Sequence, residues 1–236
     1  MSISEEPARP AGAVVHRHIP PASLARLTIY LRALSTMLAD GVERVSSDEL
    51  AEAAGVNSPK LRKDLSYLGS YGTRGVGYDV SYLSEQIAAA LGLTRNWRVA
   101  IVGAGNLGKA LAGYPGFGSR GFEVVALFDA DQMVIGQEVG WLRVNSVDDM
   151  DSVLVRTRTN MAVLSVPAEV AQDLCDRIIA AGITSILSFA PVVLQVPDHV
   201  QVRKVDMATE LQILAYHAQR AQVSDIAAKA RARLAT

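Results

Sequence analysis

Residues 99–108 read Val99-Ala100-Ile101-Val102-Gly103-Ala104-Gly105-Asn106-Leu107-Gly108. The first four are apolar and mostly β-branched, as in a buried strand, and the last six have the G-x-G-x-x-G pattern that connects such a strand to a helix. In that pattern the first glycine permits the turn, the second lets a pyrophosphate approach the backbone, and the third lets the helix pack closely on the strand. The free N–H groups at the start of the helix would then face the phosphates. Residues 103–108 are therefore the predicted dinucleotide-binding turn.

A carboxylate stands where a ribose contact is expected. A second apolar run, residues 123–128, ends at Asp129, which lies 21 residues after Gly108. At about 20 residues the dinucleotide fingerprint expects the acid that hydrogen-bonds an adenosine ribose. Asp131 adds a second negative charge, and residues 121–142 contain no Arg or Lys that could receive a 2′-phosphate. We therefore expect NAD(H) rather than NADP(H), and the alternative is a glycine turn that binds no ligand.

Composition limits the class of protein. With 236 residues, 50% of them hydrophobic, the chain can form one large or two modest domains with ordinary cores. The formal net charge of −1 excludes a chain-wide positive field, so any nucleic-acid surface must be a local patch. Cys175 is the single cysteine, which excludes an internal disulfide, suits a reducing cytoplasm and predicts a buried thiol. Membrane-span, signal-peptide and metal-ligand patterns do not occur, so we expect a cytoplasmic protein without membrane or metal.

The first periodic segment follows Pro20 and Pro21. Ser23 is predicted to cap a helix that runs to about Asp40. Arg26 and Arg32 lie off its apolar stripe, so they are predicted to face solvent, DNA or a neighbouring domain. The stripe itself has helical spacing and comprises Leu24, Leu27, Leu31, Leu34 and Leu38.

Two short helices are predicted next. Ser46 and Glu49 have the spacing of a capping box, and Gly55 ends the helix that they begin. Ser58 is predicted to cap the second helix, with Pro59 at its first position. Two short helices joined by a tight glycine turn are typical of a helix-turn-helix.

Candidate DNA contacts cluster on the second helix and just after it. Residues 60–74 hold four cations against one acid, Asp64, and this local positive excess suits contacts to phosphates. The glycine-rich residues 71–80 have the pattern of a hairpin, like the wing of a winged helix. The alternative is a solvated helix face, but the basic hairpin favours DNA. The residues predicted to contact DNA are Ser47, Ser58, Lys60, Arg62, Lys63, Ser66, Tyr67 and Arg74.

From residue 97 onward, strands and helices alternate in the manner of a parallel, doubly wound sheet. Ligands bind beyond the carboxyl ends of such strands, so Val166-Pro167 and Phe189-Ala190-Pro191 are predicted on the cofactor side. Residues 208–234 read as one helix whose apolar stripe has no later segment to cover it. A partner subunit is the predicted cover, and we therefore expect a homodimer.

The alternative function is a small NAD-dependent oxidoreductase with an accessory helical domain. Such an enzyme needs a substrate domain and a positioned acid or base. His199 and His217, the histidines beyond residue 19, lie in no recognisable catalytic context. We therefore expect no enzyme and no catalytic residues.

Several motifs form a specific combination when taken together. They are residues 61–69 (LRKDLSYLG), residues 71–78 (YGTRGVGY), Tyr114-Pro115-Gly116-Phe117, Val166-Pro167 with Ala171-Gln172, and Phe189-Ala190-Pro191-Val192. In this combination, and over nearly its whole length after residue 19, the chain resembles the Rex family of redox-sensing transcriptional repressors. The resemblance implies a homodimer that represses genes from a palindromic double-stranded operator, binds one NAD(H) per subunit, and is released from DNA by NADH as effector.

The resemblance also implies which residues couple the cofactor to DNA. By analogy with the family, Arg32, Tyr114 and Asp206 link the nicotinamide, the sheet and the DNA-binding domain, and Tyr114 also contacts the cofactor. Two positions depart from the family pattern, because Ser188 replaces a common Asn and Met207 replaces a common aromatic residue. Met207 is expected near the nicotinamide, where it would affect redox discrimination.

The expected fold is α/β with four parts. A flexible tail, residues 1–19, precedes a winged helix-turn-helix DNA-binding domain, residues 20–95. A Rossmann-type parallel-sheet domain that binds NAD(H) follows over residues 96–206. The last part, residues 207–236, is a C-terminal helix that the resemblance implies is domain-swapped between subunits.

Overall fold

A computed structural model describes residues 19–73 and 75–234 of the chain, with side chains up to residue 220. The predicted tail up to residue 18 and Arg74 lie outside the described residues. The chain divides into two compact units between Arg95 and Asn96. Each unit is described by itself below. Among the described residues, no helix is both long enough and apolar enough to cross a membrane.

The N-terminal unit is a small helical domain with one short β-ladder. Its strands β1 and β2 pair antiparallel, with Val45 opposite Tyr78. Side chains from the four helices form its core around Leu27, Leu50, Leu61 and Leu83. The helix α2, a turn at Gly55 and the helix α3 make the predicted helix-turn-helix. The elements are α1 (Pro21–Ala39), β1 (Arg44–Val45), α2 (Ser47–Ala53), α3 (Ser58–Leu65), β2 (Tyr78–Asp79) and α4 (Val80–Ala90).

Two of the predicted helix caps are wrong. The helix α1 begins at Pro21 after Pro20, and Ser23 is a buried residue within its first turn. The cap of α3 is Asn57, whose side chain accepts a hydrogen bond from the Lys60 N–H at 2.9 Å. Ser58 is therefore the first residue of the helix rather than its cap. The capping box of α2 is confirmed, since Ser46 and Glu49 bond each other's backbone N–H groups.

The buried stripe of α1 is also shifted from the predicted one. Leu24 and Leu38 are 42% and 41% exposed, whereas Tyr30 is fully buried between Leu27 and Leu34. Tyr30 takes this place because its hydroxyl has a buried partner, Asp64, at 2.8 Å. Leucine spacing alone does not reveal that partner. The buried face of α1 therefore differs from the predicted one, because it includes Tyr30 and leaves Leu24 and Leu38 partly exposed.

The C-terminal unit is a seven-stranded sheet in the order β5-β6-β4-β3-β7-β8-β9. Its six parallel strands, taken in chain order, lie in the sequence 3-2-1-4-5-6, which is the Rossmann arrangement. The strand β5 adds to the edge as an antiparallel hairpin with β6. The strands are β3 (Trp97–Val102), β4 (Phe122–Asp129), β5 (Glu138–Val139), β6 (Leu142–Ser146), β7 (Met161–Leu164), β8 (Ser185–Ser188) and β9 (Gln201–Lys204). The predicted mixed α/β fold is confirmed, while the domain swap of the last helix stays a prediction.

Apolar side chains cover both faces of this sheet. Val102, Phe128 and Ile178 belong to the cluster on one face, and Ile101 and Leu127 belong to the cluster on the other. Cys175 is buried in the first cluster as predicted, and burial raises the pKa of its thiol. The helices of this unit are α5 (Asn106–Ala112), α6 (Pro115–Gly118), α7 (Met150–Arg156), α8 (Ala168–Ala180) and α9 (Met207–Leu234).

Candidate cofactor and nucleic-acid sites

The glycine turn lies where the strand order reverses, between β3 and β7. Gly103 has a φ of +99°, and a Cβ there would collide with the Ser165 carbonyl. A Cβ on Gly108 would collide with the Gly103 carbonyl. A Cβ on Gly105, in contrast, would meet no atom within 4 Å. Packing of the chain therefore requires the first and third glycines, whereas the second leaves a space that a phosphate would occupy.

Asp129 is fixed against this turn. Its Oδ2 accepts a hydrogen bond from the Ala104 N–H at 2.7 Å, and its Oδ1 accepts one from the Asp131 N–H at 2.9 Å. The carboxylate thus lies beside the turn at the carboxyl end of β4, as the ribose prediction requires. Its remaining lone pairs can accept hydrogen bonds from hydroxyl groups.

A cavity of about 400 Å³ opens at the glycine turn. This size is within the range of small-molecule sites. Five of the predicted cofactor residues line it: Gly103, Gly105, Asp129, Val166 and Pro167. The other lining residues include the apolar side chains Val147, Val170 and Leu174 and the charged side chains Asp173 and Arg177. A polar end with Asp129 and an apolar wall fit the ribose and the base of a dinucleotide.

Ser165 is a residue of this site that the sequence analysis missed. Its hydroxyl donates to the Gly103 carbonyl at 2.9 Å, and the Val102 carbonyl is also within reach at 3.2 Å. Ser165 therefore fastens the glycine turn to the end of β7. The signal available in the sequence was its place just before Val166-Pro167 at the end of a strand.

Other predicted cofactor residues lie outside the cavity lining. Asn106 and Leu107 form the first turn of α5. Phe189 packs partly against the sheet, Ala190 is buried and Pro191 is exposed. Ser188, one of the two departures, is buried and accepts a hydrogen bond from the Ala190 N–H at 3.3 Å.

The residues predicted to couple cofactor and DNA have the following places. Arg32 is exposed on α1 in the N-terminal unit. Tyr114 is 47% exposed, and its ring makes an edge contact with Phe117 at a centroid distance of 5.2 Å. Asp206 caps α9, because its Oδ1 accepts from the Ala208 and Thr209 N–H groups at 3.1 and 3.2 Å. The hydrogen bond from the Thr209 N–H holds the pKa of Asp206 below its usual value, although partial burial acts in the opposite direction. Met207 follows it and is 60% exposed.

The helix α3 has the properties predicted for a recognition helix. Leu61 and Leu65 are buried in the core of the N-terminal unit, whereas Lys60, Arg62 and Lys63 are exposed. Ser66 is also exposed and donates to the Lys63 carbonyl at 2.6 Å, while Tyr67 is half-buried. One face of a short, firmly packed helix therefore presents cations to the surroundings.

Two predicted DNA contacts have partners within the protein. The Ser58 hydroxyl donates to the Asp48 carboxylate, which ties the start of α3 to α2. The Ser47 hydroxyl lies 3.3 Å from the Tyr78 hydroxyl and joins α2 to β2. Both serines therefore have a structural role in the helix-turn-helix, whatever they contact besides.

The predicted wing is a tight turn closed by two backbone hydrogen bonds. The N–H groups of Thr73 and Gly77 each donate to the other's carbonyl at 3.1 Å. Gly77 has a φ of +86°, and a Cβ there would collide with the Val45 carbonyl. The strand after this turn, β2, pairs with β1, and the close approach of Gly77 to Val45 lies at the end of that pair.

A cluster of Arg26, Tyr30 and Asp64 joins α1 to α3. Asp64 is 1% exposed, and its Oδ1 and Oδ2 accept from Arg26 Nη2 and Nε at 2.7 and 2.6 Å. Burial alone would raise the pKa of Asp64, but the hydrogen bonds from Arg26, Ser23 and Tyr30 outweigh it and keep that pKa below its ordinary value. The prediction that Arg26 is free is thus wrong, because a buried carboxylate binds it. Because Arg26 already neutralises the charge of Asp64, that charge does not offset the positive charge of the exposed cations of α3.

Known proteins match both units of the chain. The family model described as "Putative DNA-binding protein N-terminus" matches residues 18–66, and the one described as "CoA binding domain" matches residues 94–192. The redox-sensing transcriptional repressor Rex of Streptomyces griseus subsp. griseus is 58% identical over 213 residues, which cover 90% of this chain and 84% of that protein. The Rex repressor of Desulfitobacterium hafniense is 44% identical over 199 residues, covering 84% and 95%.

Solved structures show the same likeness. The crystal structure of RSP with β-NAD⁺ and operator DNA matches with a TM-score of 0.83 at 32% identity, covering 89% of this chain and 96% of that one. The structure of RSP with β-NADH matches with a TM-score of 0.78, also at 32% identity, covering 89% and 98%. RSP is described as a Rex-family repressor.

Proposed function

The chain belongs to the Rex family of redox-sensing transcriptional repressors, and we propose that it binds operator DNA as a homodimer and leaves the operator when NADH occupies the glycine turn. It is a repressor rather than an enzyme, since its relatives are named as transcriptional repressors. The open space at Gly105 beside Asp129 supports the cofactor part of this proposal, because a Cβ on Gly105 would meet no atom within 4 Å and a phosphate can approach the backbone there.

The DNA part of the proposal depends on α3. Its exposed Lys60, Arg62 and Lys63 suit phosphate and base contacts in a major groove. Arg74 and the turn around it would add contacts as a wing. Two copies of α3 in a dimer would read the two halves of a palindromic operator.

The cofactor part depends on the cavity. The turn from Gly103 to Gly108 would hold the pyrophosphate, and Asp129 would accept hydrogen bonds from the adenosine ribose. The apolar wall of Val147, Val170 and Leu174 suits the adenine ring. One such site per subunit gives NAD(H) bound in a ratio of one to one, with the nicotinamide end toward Tyr114, Phe189 and Met207.

Release from DNA requires a difference between two states of the dimer. The state that cannot bind the operator must hold NADH more tightly than the DNA-competent state does, because equal affinity would shift nothing. A shift from 99% to 1% operator-competent dimer needs a preference of about 10⁴-fold. We assign Arg32, Tyr114 and Asp206 to this coupling. Asp206 suits the role because the Oδ2 of its carboxylate lies 3.8 Å from Lys204 Nζ, a loose contact that another donor can replace.

The dimer contact is proposed to use α9. This helix exposes the apolar side chains Leu211 (66%), Leu214 (63%) and Tyr216 (55%), and neighbouring exposed apolar residues are typical of a protein–protein contact. The same unit has an apolar hollow of about 370 Å³ on its sheet, with Val99, Phe122 and Met161 in its lining. We propose that the α9 helix of a second copy covers such surface by exchange. The relatives come from bacteria, where operator DNA lies in the cytoplasm, and we place this protein there too.

An operator titration tests the proposal. The protein first selects a palindromic duplex from a random pool, and fluorescence anisotropy then measures its affinity for that duplex with NADH or NAD⁺ present. We expect NADH to weaken operator binding by at least an order of magnitude and NAD⁺ to leave it nearly unchanged. Equal effects of the two nucleotides, or no selected duplex, would contradict the proposed function.

A further inference from the structure

We propose that the Arg26–Tyr30–Asp64 cluster sets the rotation of α3 about its own axis, and so decides which side chains this helix presents to DNA. This proposal rests on the proposed function, because it assigns a role in operator recognition. Arg26, Tyr30 and Asp64 would thus be positioning residues, which touch no DNA themselves and act through Arg62 and its neighbours.

The cluster has a directional geometry that the surrounding core lacks. Leu61 and Leu65 contact the core through apolar surface, which tolerates small rotations of a short helix. The guanidinium of Arg26 is a planar fork, and its two nitrogens lie 2.6 and 2.7 Å from the two oxygens of Asp64. A two-point bond of this kind admits one relative orientation of its partners. The Tyr30 hydroxyl, 2.8 Å from Oδ2, adds a third donor from the same helix α1.

The reading face of α3 is set by where Asp64 points. Successive residues of an α-helix are about 100° apart, so Arg62 and Ser66 lie roughly 160° around the axis from Asp64. When the bond to Arg26 turns Asp64 inward, Arg62 and Ser66 turn outward. Both are exposed, whereas Asp64 is buried.

Stability alone does not explain this ion pair, whose carboxylate is buried and whose arginine is partly exposed. Well-packed apolar residues of similar volume often stabilise a core as well as a buried pair does, so the pair's distinct contribution is a unique arrangement. The cluster also makes α1 and α3 move together.

The test compares specific with nonspecific DNA binding by the full-length chain. Asp64→Asn removes the charge and one acceptor oxygen, Arg26→Lys keeps the charge but loses the fork, and Tyr30→Phe keeps the ring but loses the hydroxyl. In each folded variant we expect operator affinity to fall, roughly tenfold or more for Asp64→Asn. The reason is that the side chains of a rotated α3 no longer point at the bases, so base contacts are lost. Affinity for random-sequence DNA should change little, since the cations of α3 remain. NADH affinity should also be unchanged.

A matched control separates positioning from stability. Leu83→Ala cuts a fully buried side chain of α4 from the same core and leaves the side chains of Arg26, Tyr30 and Asp64 unchanged. All proteins are compared at a temperature where circular dichroism shows them folded. Leu83→Ala should keep the wild-type ratio of operator affinity to random-DNA affinity, and the cluster variants should lose it. A wild-type ratio in every folded cluster variant, or an equal loss in Leu83→Ala, overturns the inference. If wild-type protein itself prefers no operator, the proposed function fails instead.

Discussion

Asp64 and Asp129 differ in how much of their hydrogen-bonding capacity is used within the protein. The oxygens of Asp64 accept three hydrogen bonds from the side chains of Arg26 and Tyr30, and the residue is almost fully buried. The oxygens of Asp129 accept one backbone N–H each, and this residue lies on a cavity wall. A carboxylate offers about four lone-pair sites. Asp129 therefore keeps capacity for a ligand, whereas the capacity of Asp64 is used within the protein.

Replacing Asp129 by Asn should weaken NADH binding. The amide can still accept one backbone hydrogen bond, but it loses the charge-assisted bond to the ribose, which is worth roughly tenfold or more in affinity. Isothermal titration calorimetry measures the effect. Asp198→Asn, a change at an exposed acid outside the cavity lining, serves as the control. Wild-type affinity in Asp129→Asn would remove Asp129 from the site.

Replacing Arg62 by Ala should weaken operator binding. Loss of an arginine that contacts a base costs about 1–3 kcal/mol, whereas loss of one that contacts a phosphate reduces the salt slope by about 1. Anisotropy titrations at several salt concentrations distinguish these two contacts. Arg156→Ala removes an exposed arginine of α7 in the other unit and should change neither quantity. Unchanged operator affinity in Arg62→Ala would count against α3 as the recognition helix.

At the scale of elements, the link between α1 and α3 includes a fully buried tyrosine, Tyr30. Burial, and then the hydrogen bond to Asp64, raises the pKa of Tyr30 from 10.0 to about 12. The folded state thus keeps this hydroxyl protonated where the unfolded chain has begun to ionise. The contribution of Tyr30 to stability is fully present below pH 10, and it is lost as the pH rises toward 12.

Urea unfolding at pH 8.5 and pH 11 tests that window. Between these values we expect the wild type to lose on the order of 1 kcal/mol more stability than Tyr30→Phe, because the variant has no hydroxyl to ionise in its unfolded state. Tyr82→Phe, a change at a half-exposed ring in the same unit, should lose stability as the wild type does. Parallel pH dependence of the wild type and Tyr30→Phe would show that Tyr30 does not retain its proton.

The elements that local signals specify were predictable from the sequence. The helix α8 begins after Pro167 and ends before Gly182, and its apolar spacing matches the face that it buries. The cap of α1 was mispredicted because Ser23 has the chemistry of a cap, whereas the helix begins two residues earlier with Pro21 at its first position. Proline is favoured at that position, so the signal that decides the start of α1 is also local.

The residues of the candidate site also divide into those that sequence patterns predicted and those that they missed. Local sequence patterns and the ends of predicted strands pointed to the glycine turn, Asp129 and Val166-Pro167. Val170 and Leu174, on α8, were missed as site residues because packing against the sheet, and not a pattern in the chain, brings their helix beside the turn. A pattern of residues can predict a Rossmann sheet, but the side chains that line its cavity depend on packing across strands.

At the scale of the whole molecule, the proposed reading of a palindromic operator needs two copies of α3 and therefore two chains. Changing Leu211 and Leu214 together to Glu places charge on the exposed apolar surface of α9, where the proposed partner would bury it. We expect the double variant to be a monomer by size-exclusion chromatography with light scattering. Its operator affinity should fall by more than tenfold, because one half-site is then bound alone.

A control for that experiment is available on the same unit. Met133→Glu adds a charge at a side chain that is 80% exposed and lies in the connection between β4 and β5. It should leave the oligomeric state unchanged. A dimeric double variant, or a monomeric Met133→Glu variant, would contradict a dimer contact through α9.

The open space at Gly105 has a consequence for genetics. Its backbone, with φ −67° and ψ −170°, suits any amino acid, so an alanine allele should encode a normally folded and abundant protein. That allele would still silence its target genes, but it would no longer respond when respiration stops and NADH accumulates. In a cell that carries both alleles, mixed dimers would retain one insensitive half, and the mutant allele is expected to be at least partly dominant.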